Sequence, residues 1–242
     1  MDAFIRSALL LGEDNLIKLS TKTVMIFGCG GVGSYVIEGL VRTGIKNFVL
    51  IDNDIVSKSN INRQIIATTE TIGKLKTKVA KERILSINPS SNVITYEEFI
   101  LPETINNINF NNIDFIVDCI DTISGKLSII ETAKIHNIPI ISSMGTGNKL
   151  DPTKFQIVDI SKTHTCPLAK VMRYELRKRN ITNVPVLFST EEPINLSNSP
   201  LEQKMLNEEN SIKHQIPGSI SFVPSIAGLL ISRFIILELT KR

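Results

Sequence analysis

The stretch that most constrains the fold is residues 23–52. Val24, Ile26 and Phe27 form a short apolar run of the kind that fills a buried parallel strand. Gly28, Gly30 and Gly33 follow at once in G-x-G-x-x-G spacing. The first glycine permits a tight turn, the second lets backbone approach a phosphate, and the third lets a helix pack close to the strand. That helix points its N-terminal N–H groups and positive dipole end at an anion. Phe48, Val49, Leu50 and Ile51 make a second buried strand, closed by Asp52. An acid about 20 residues past such glycines stands where ribose hydroxyls are accepted. Three glycines can also serve packing alone, but strand, glycines, helix, strand and acid in this order describe a nucleotide site.

The next segment bears on which nucleotide. Ser59-Asn60-Ile61-Asn62-Arg63-Gln64 places small amides and one arginine just beyond the second strand, and Lys76 follows at the start of a helical pattern. A dinucleotide's phosphates can be held by backbone N–H groups alone. Splitting a triphosphate develops charge that cations such as Arg63 and Lys76 neutralise.

Farther along, Lys74 to Ile87 reads as a helix, Asn92 to Tyr96 as a strand, and Pro102 to Ile108 as a short helix before an Asn-rich loop. Asp114 to Asp121 is a buried strand ending in carboxylates, Ser124 to His136 a helix, and Ile138 to Ser143 a strand. This alternation describes a doubly wound α/β fold with a mainly parallel sheet. Asp118 and Asp121 fall at the strand edge where such sheets bind ligands. A carboxylate there can hold a magnesium ion beside a triphosphate, and Asp118 can instead cap or orient the loop.

Beyond Ser143 the composition changes. Phe155 to Ile160 alternates like a strand, and Pro167 to Arg179 reads as an amphipathic helix. Leu168, Val171, Met172 and Leu176 take one face; Lys170, Arg173 and Arg177 form a basic stripe on the other. The stripe can track nucleic-acid phosphates or be a solvated helix back. Val184 to Phe188 is a strand. Residues 189–217 read as a long polar loop, and residues 225–239 as an apolar helix, buried or at a subunit interface; it is shorter than a usual membrane span and interrupted by Arg233, with a membrane anchor as the minor alternative. At the start, residues 3–19 hold two short amphipathic helices separated by Gly12, with Asp14–Asn15 available as a cap. The layout there is not that of a signal peptide.

A formal net charge of +3 on 242 residues gives no global field, so any nucleic-acid site is a local patch. Cys29, Cys119 and Cys166 show no disulfide spacing, which fits a reducing cytoplasm. Cys29 and Cys119 read as inert core thiols; Cys166, in a candidate active-site loop, reads as a bystander for want of an identifiable activating base, with a nucleophile as the alternative. His136, His164 and His214 are scattered, and no zinc spacing is visible.

The motifs GxGGVGS, DxDxVxxSNxNRQ and GKxK resemble the ubiquitin-activating-enzyme superfamily of adenylating enzymes, Rossmann-type proteins with a C-terminal strand–helix extension. Asp151-Pro-Thr-Lys154, Pro167 to Arg179, and Pro217 to Gly228 are similar to the group of tRNA threonylcarbamoyladenosine dehydratases within it. The resemblance covers nearly the whole chain. It implies one adenylating domain over 1–242, with a nucleotide-binding core at 1–144 and a part facing tRNA and a dimer partner at 145–242. It implies ATP and magnesium, with Gly28, Gly30, Gly31, Gly33, Asp52, Asp54, Ser59, Asn60, Arg63, Gln64, Lys76 and Asp121 around the nucleotide. Arg63, Lys76 and Asp121 would serve the chemistry. Arg6 would reach a nucleotide in the related subunit of a homodimer, or be a solvated arginine. The implied reaction is ATP-dependent cyclisation of threonylcarbamoyladenosine in tRNA, in the cytoplasm, with a sulfur-transfer protein as a further partner. Members that activate a sulfur-carrier protein have Cys-x-x-Cys pairs that this chain lacks. That reading and a non-adenylating dinucleotide module are the alternatives.

Overall fold

The computed structural model describes residues 3–196, 199–201 and 217–241. Most of the polar loop expected at 189–217 lies outside them.

Seven strands form one sheet in the order β3-β2-β1-β4-β5-β7-β6. β1 (Thr23–Phe27), β2 (Asn47–Ile51), β3 (Asn92–Tyr96), β4 (Phe115–Asp118), β5 (Ile140–Ser143) and β7 (Pro185–Ser189) run parallel. Only β6 (Phe155–Asp159) is antiparallel, beside β7. The expected doubly wound fold is therefore present, and β5, β7 and β6 extend the nucleotide half of the sheet without a break. Strand periodicity splits the core. Val24, Ile26, Phe48 and Leu50 face α3 (Gly33–Arg42) and the C-terminal helix. Met25, Phe27, Val49 and Ile51 face α5 (Ile123–Ile135) and α6 (Pro167–Lys178).

The order reverses between β1 and β4, where an open α/β sheet leaves a crevice at its carboxyl edge. The Gly28 N–H donates to the Ile51 carbonyl and the Cys119 N–H to the Phe27 carbonyl, each at 2.8 Å. These bonds tie the three strand ends together around that crevice.

The C-terminal helix, α7, spans Phe222–Thr240 and is longer than the expected 225–239, because Pro224 fits a first turn that has no N–H donor to lose. By length and composition it could cross a membrane, but 44% of its most apolar window is buried inside the protein. Val223, Ala227, Ile231 and Ile235 join the core on the α3 side. Small residues set this close crossing. A Cβ on Gly39 would lie 2.3 Å from the Ser232 hydroxyl, and one on Gly228 2.5 Å from the Val32 carbonyl.

Four local expectations are corrected. Pro102 to Ile108 holds only a single 3-10 turn at Ile105–Asn107. There the Thr104 hydroxyl accepts the Leu101 N–H and donates to the Phe99 carbonyl, offering the backbone a non-helical partner. β4 stops at Asp118, whose carboxylate accepts the Ile120 N–H at 3.2 Å and turns the chain out of the ladder. Neither Asp14 nor Asn15 caps α2 (Glu13–Thr21): Gly12 holds the cap position, and the Asn15 amide donates back to the Leu11 carbonyl at 2.8 Å. Val171 is exposed; Ala169, Met172 and Leu176 form the inner face of α6.

Candidate active site

The glycine turn is built as its spacing predicts. Gly28 has φ +89°, and a Cβ there would meet the Cys119 carbonyl at 2.9 Å. At Gly33 a Cβ would lie 1.8 Å from the Gly28 carbonyl, so this glycine serves packing. At Gly30 nothing comes closer than the Gln64 amide at 3.8 Å, leaving the backbone open toward the crevice. The Asp52 carboxylate accepts the Cys29 N–H at 2.7 Å and the Asp54 N–H at 2.8 Å, one on each oxygen. Burial raises its pKa above the ordinary carboxylate value, against the pull of Lys76 and these two N–H groups.

The opposite wall comes from residues 53–76. A 3-10 turn at Lys58–Asn60 is fixed by the buried Asn60, whose side-chain oxygen accepts the Ser57 N–H at 3.1 Å. Arg63 donates to the Ser59 carbonyl at 2.8 Å and to the Asn62 side chain at 2.9 Å, which aims its guanidinium along the crevice rim. Lys76 opens α4 (Lys76–Ile87); it is 6% exposed, and its ammonium lies 2.6 Å from the largely exposed Asp54 carboxylate. Gln64 is 5% exposed, and its side-chain oxygen has no partner among the described residues. A buried acceptor left open in this way fits a donor supplied by a ligand.

These walls enclose a cavity of about 510 Å³ lined by Gly28, Gly30, Gly31, Asp52, Asp54, Asn60, Arg63, Gln64, Lys76 and Asp121. Of the residues expected around a nucleotide, Gly33, Ser59 and Arg6 do not line it. Ser59 pairs its hydroxyl with that of Ser57 at 2.9 Å. Arg6 is exposed on α1 (Ile5–Leu11), a helix with no buried residue.

A second cavity of about 430 Å³ adjoins the first and shares Gly31, Arg63, Cys119, Ile120 and Asp121 with it. Its other walls are the loop Ser143–Lys149, the start of α6 at Cys166–Leu168, and Pro217–Ser219. Asp121 is exposed on the shared wall. Among the described residues no group of three His, Cys, Asp or Glu could hold a metal. A metal at Asp121 would draw its other ligands from phosphates and water, which is how magnesium is commonly held.

Sequence reasoning missed what braces this wall. Lys126 and Asp118 are both 0% exposed and paired at 2.8 Å. The Ser142 hydroxyl donates to the same Asp118 oxygen at 2.5 Å, and the Lys126 ammonium also reaches the Ser143 carbonyl at 2.7 Å. One buried cation thus joins the ends of β4 and β5. Asp118 orients the loop, as its alternative reading held. The only sequence signal for Lys126 was a lysine directly before the mostly apolar run Leu127–Ile130.

The thiols sit differently from one another. Cys119 lies past β4, partly exposed on both cavities, and burial followed by Asp118 pushes its pKa well above the ordinary thiol value. Cys166 is buried on the second cavity behind a tight turn, in which its N–H donates to the His164 carbonyl at 2.5 Å and Thr165 takes φ +58°.

The basic stripe on α6 is divided. Lys170 and Arg177 are exposed, whereas Arg173 is half-buried and donates to the Thr163 carbonyl and hydroxyl at 2.7 Å each. Arg173 therefore clamps the helix to the preceding turn.

Comparison with known proteins adds the following. A family model described as the ThiF family matches residues 4–240. A tRNA threonylcarbamoyladenosine dehydratase of Bacillus subtilis (strain 168) is 41% identical over 241 residues, covering 98% of this chain and 94% of that one. The E. coli tRNA N6-threonylcarbamoyladenosine dehydratase solved in complex with ATP is similar at a TM-score of 0.86 and 29% identity, over 98% of this chain and 93% of that one. The same E. coli protein solved with AMP gives a TM-score of 0.86 at 28% identity, over 98% and 94%.

Proposed function

This chain belongs to the ThiF family, and we propose that its paired cavities dehydrate N6-threonylcarbamoyladenosine in tRNA, with ATP as the activating substrate. It is an ATP-using, tRNA-modifying enzyme, in keeping with relatives that extend over nearly all of its length and a similar structure holding ATP. The observation that carries the reading is the shared wall: the glycine-turn cavity meets a second cavity of comparable size at Gly31, Arg63 and Asp121. An acyl group in the second can thus reach a nucleotide in the first.

The chemistry follows from that adjacency. A carboxylate is a poor electrophile until its oxygen becomes part of a good leaving group. The threonyl carboxylate forms a bond to the α-phosphorus of ATP, the α–β phosphoanhydride bond breaks, and pyrophosphate leaves. The carbamoyl group of the same modification then attacks the acyl carbon, loses a proton, and displaces AMP. Ring closure gains from an attacking group already tethered beside its target. Asp52 would accept the ribose hydroxyls, and Gln64 Oε1 would take a donor from the nucleotide. The N–H groups after Gly28, with Asn60 and Arg63, would hold phosphates. Lys76 would leave Asp54 to follow charge developing on the α-phosphoryl group. Asp121 would hold magnesium, which supplies further charge neutralisation when bound.

Residues 1–144 would hold the nucleotide and 145–242 would face the tRNA and a second copy of the chain, the two parts sharing one sheet. Leu9 and Leu10 on α1 are 83% and 76% exposed. So short a helix, burying nothing, gains its stability from a covering surface. We therefore place a homodimer there, with Arg6 reaching the partner's nucleotide. A sulfur-transfer protein would be a further partner, and with tRNA as its substrate the enzyme would act in the cytoplasm.

Lys170 and Arg177 would contact the tRNA backbone, setting affinity rather than sequence choice. Alanine at both should flatten the plot of log affinity against log salt by about 0.7 to 0.9 per lost phosphate contact, with ATP binding unchanged. A slope matching wild type across a salt series would make the stripe a solvated helix back. The function itself is tested by release of pyrophosphate on addition of modified tRNA.

A further inference from the structure

We propose that Lys149 recognises the substrate's carboxylate in the second cavity, fixing the acyl group before adenylation. The inference rests on the tRNA-dehydratase reading and deepens it.

Lys149 lines that cavity and is 4% exposed. Among the described residues its ammonium donates to the Glu191 main-chain carbonyl alone. The Glu191 carboxylate is engaged elsewhere: it accepts the Leu150 N–H at 2.9 Å and the Asp151 N–H at 3.0 Å, one on each oxygen. Among the described residues Lys149 forms no ion pair with a carboxylate, in contrast to Lys76 and Lys126, which each hold one. A buried ammonium bonded only to a neutral carbonyl has donors left and lacks a counter-ion, which is costly in an interior. Burial accordingly lowers its pKa, against Cys166, Glu191 and Glu192, which favour the charged form.

The loop that carries it is pinned on both sides. Asn148 takes φ +57°, its side-chain oxygen accepts the Gly218 N–H at 2.6 Å, and its carbonyl accepts the Ile194 N–H at 2.8 Å. The ammonium is thus held in place beforehand, as a recognition contact requires. The modification carries one anionic group, the carboxylate that must be presented to the α-phosphorus. Arg63, the other cation lining this cavity, stands on the wall shared with the nucleotide. Lys149 lines the second cavity and not the first, so it can hold the carboxylate from the acyl side while the α-phosphorus stands on the other. Once the carboxylate becomes an acyl phosphate it loses its charge, so the contact serves binding more than the later steps.

The test compares Lys149→Met and Lys149→Arg with wild type. For Lys149→Met, the KM for modified tRNA should rise about 10- to 100-fold, the range of one hydrogen bond to a charged group. Turnover at saturation should change less, ATP affinity should be unchanged, and Lys149→Arg should recover part of the loss. Competition by the free threonylcarbamoyladenosine nucleoside and by its methyl ester adds a readout that a merely structural role would not move. Wild type should prefer the free acid, and Lys149→Met should bind acid and ester alike. Should Lys149→Met not fold, the same competition is read on Lys149→Gln, which keeps hydrogen-bond donors and removes the charge. Undiminished preference for the acid in a folded variant overturns the inference. Wild type inert toward modified tRNA would overturn the parent reading instead.

Discussion

Lys76→Ala lowers the rate of AMP formation about 100- to 1000-fold, the usual cost of removing one preorganised stabiliser of developing charge. Lys76 is not the surface residue its place after a loop suggests, being 6% exposed at the start of α4. Its loss is still tolerable to the fold, because the partner left behind, Asp54, has a side chain 60% exposed and is rehydrated. Stability should fall by no more than about 1 kcal/mol, as for an ion pair open to solvent. Arg63→Ala should match it in rate and lose somewhat more stability, since its guanidinium also ties Ser59 to Asn62. Single-turnover kinetics beside thermal melting separates the two effects. Near wild-type turnover in either variant contradicts the assigned role. Mixing Lys76→Ala with Arg6→Ala extends the test to the dimer. If Arg6 acts across subunits, mixed dimers regain one intact site and activity returns; if it acts within its own chain or not at all, mixing restores nothing beyond the sum of the parts.

Lys126→Met destabilises the protein by about 3–5 kcal/mol, the range seen when one member of a buried ion pair is removed. Asp118 would be left without its cation at 0% exposure, with the Ser142 hydroxyl and the Ile120 N–H as its remaining partners. For a chain of this length that corresponds to a melting temperature lower by roughly 10 °C. Adding Asp118→Asn removes the stranded charge and should recover much of the loss. Denaturant unfolding of the two single variants and the double gives the coupling directly. Additive losses would show that the pair does not act as a unit.

The glycine site was legible in the sequence because its parts are local. Gly28, Gly33 and Asp52 lie within one strand–helix–strand unit whose spacing alone demands the turn, the close packing and the acid. The apolar run ending in carboxylates placed Asp118 and Asp121 at the crevice edge, but only the family resemblance singled out Asp121, which lines both cavities. Lys126 and Lys149 were not legible. Their partners, Asp118 with Ser143 and the Glu191 carbonyl, lie 8, 17 and 42 residues away in sequence and meet them only in the folded sheet. A lysine in an apolar helix or a glycine-rich loop carries no mark of burial until those neighbours are placed. The basic stripe shows the opposite failure. Its i, i+3, i+7 spacing is real, but periodicity cannot foresee that Thr163 captures Arg173 from the turn before the helix.

The most direct measurement is pyrophosphate release by the wild-type enzyme with ATP and magnesium, given in turn tRNA carrying threonylcarbamoyladenosine, a sulfur-carrier protein with a free Gly-Gly carboxylate, or neither. Joined nucleotide and acyl cavities predict stoichiometric pyrophosphate and AMP with the modified tRNA, and loss of one water from the modified nucleoside. Background release with the tRNA, together with release driven by the carrier protein or by neither, would contradict it.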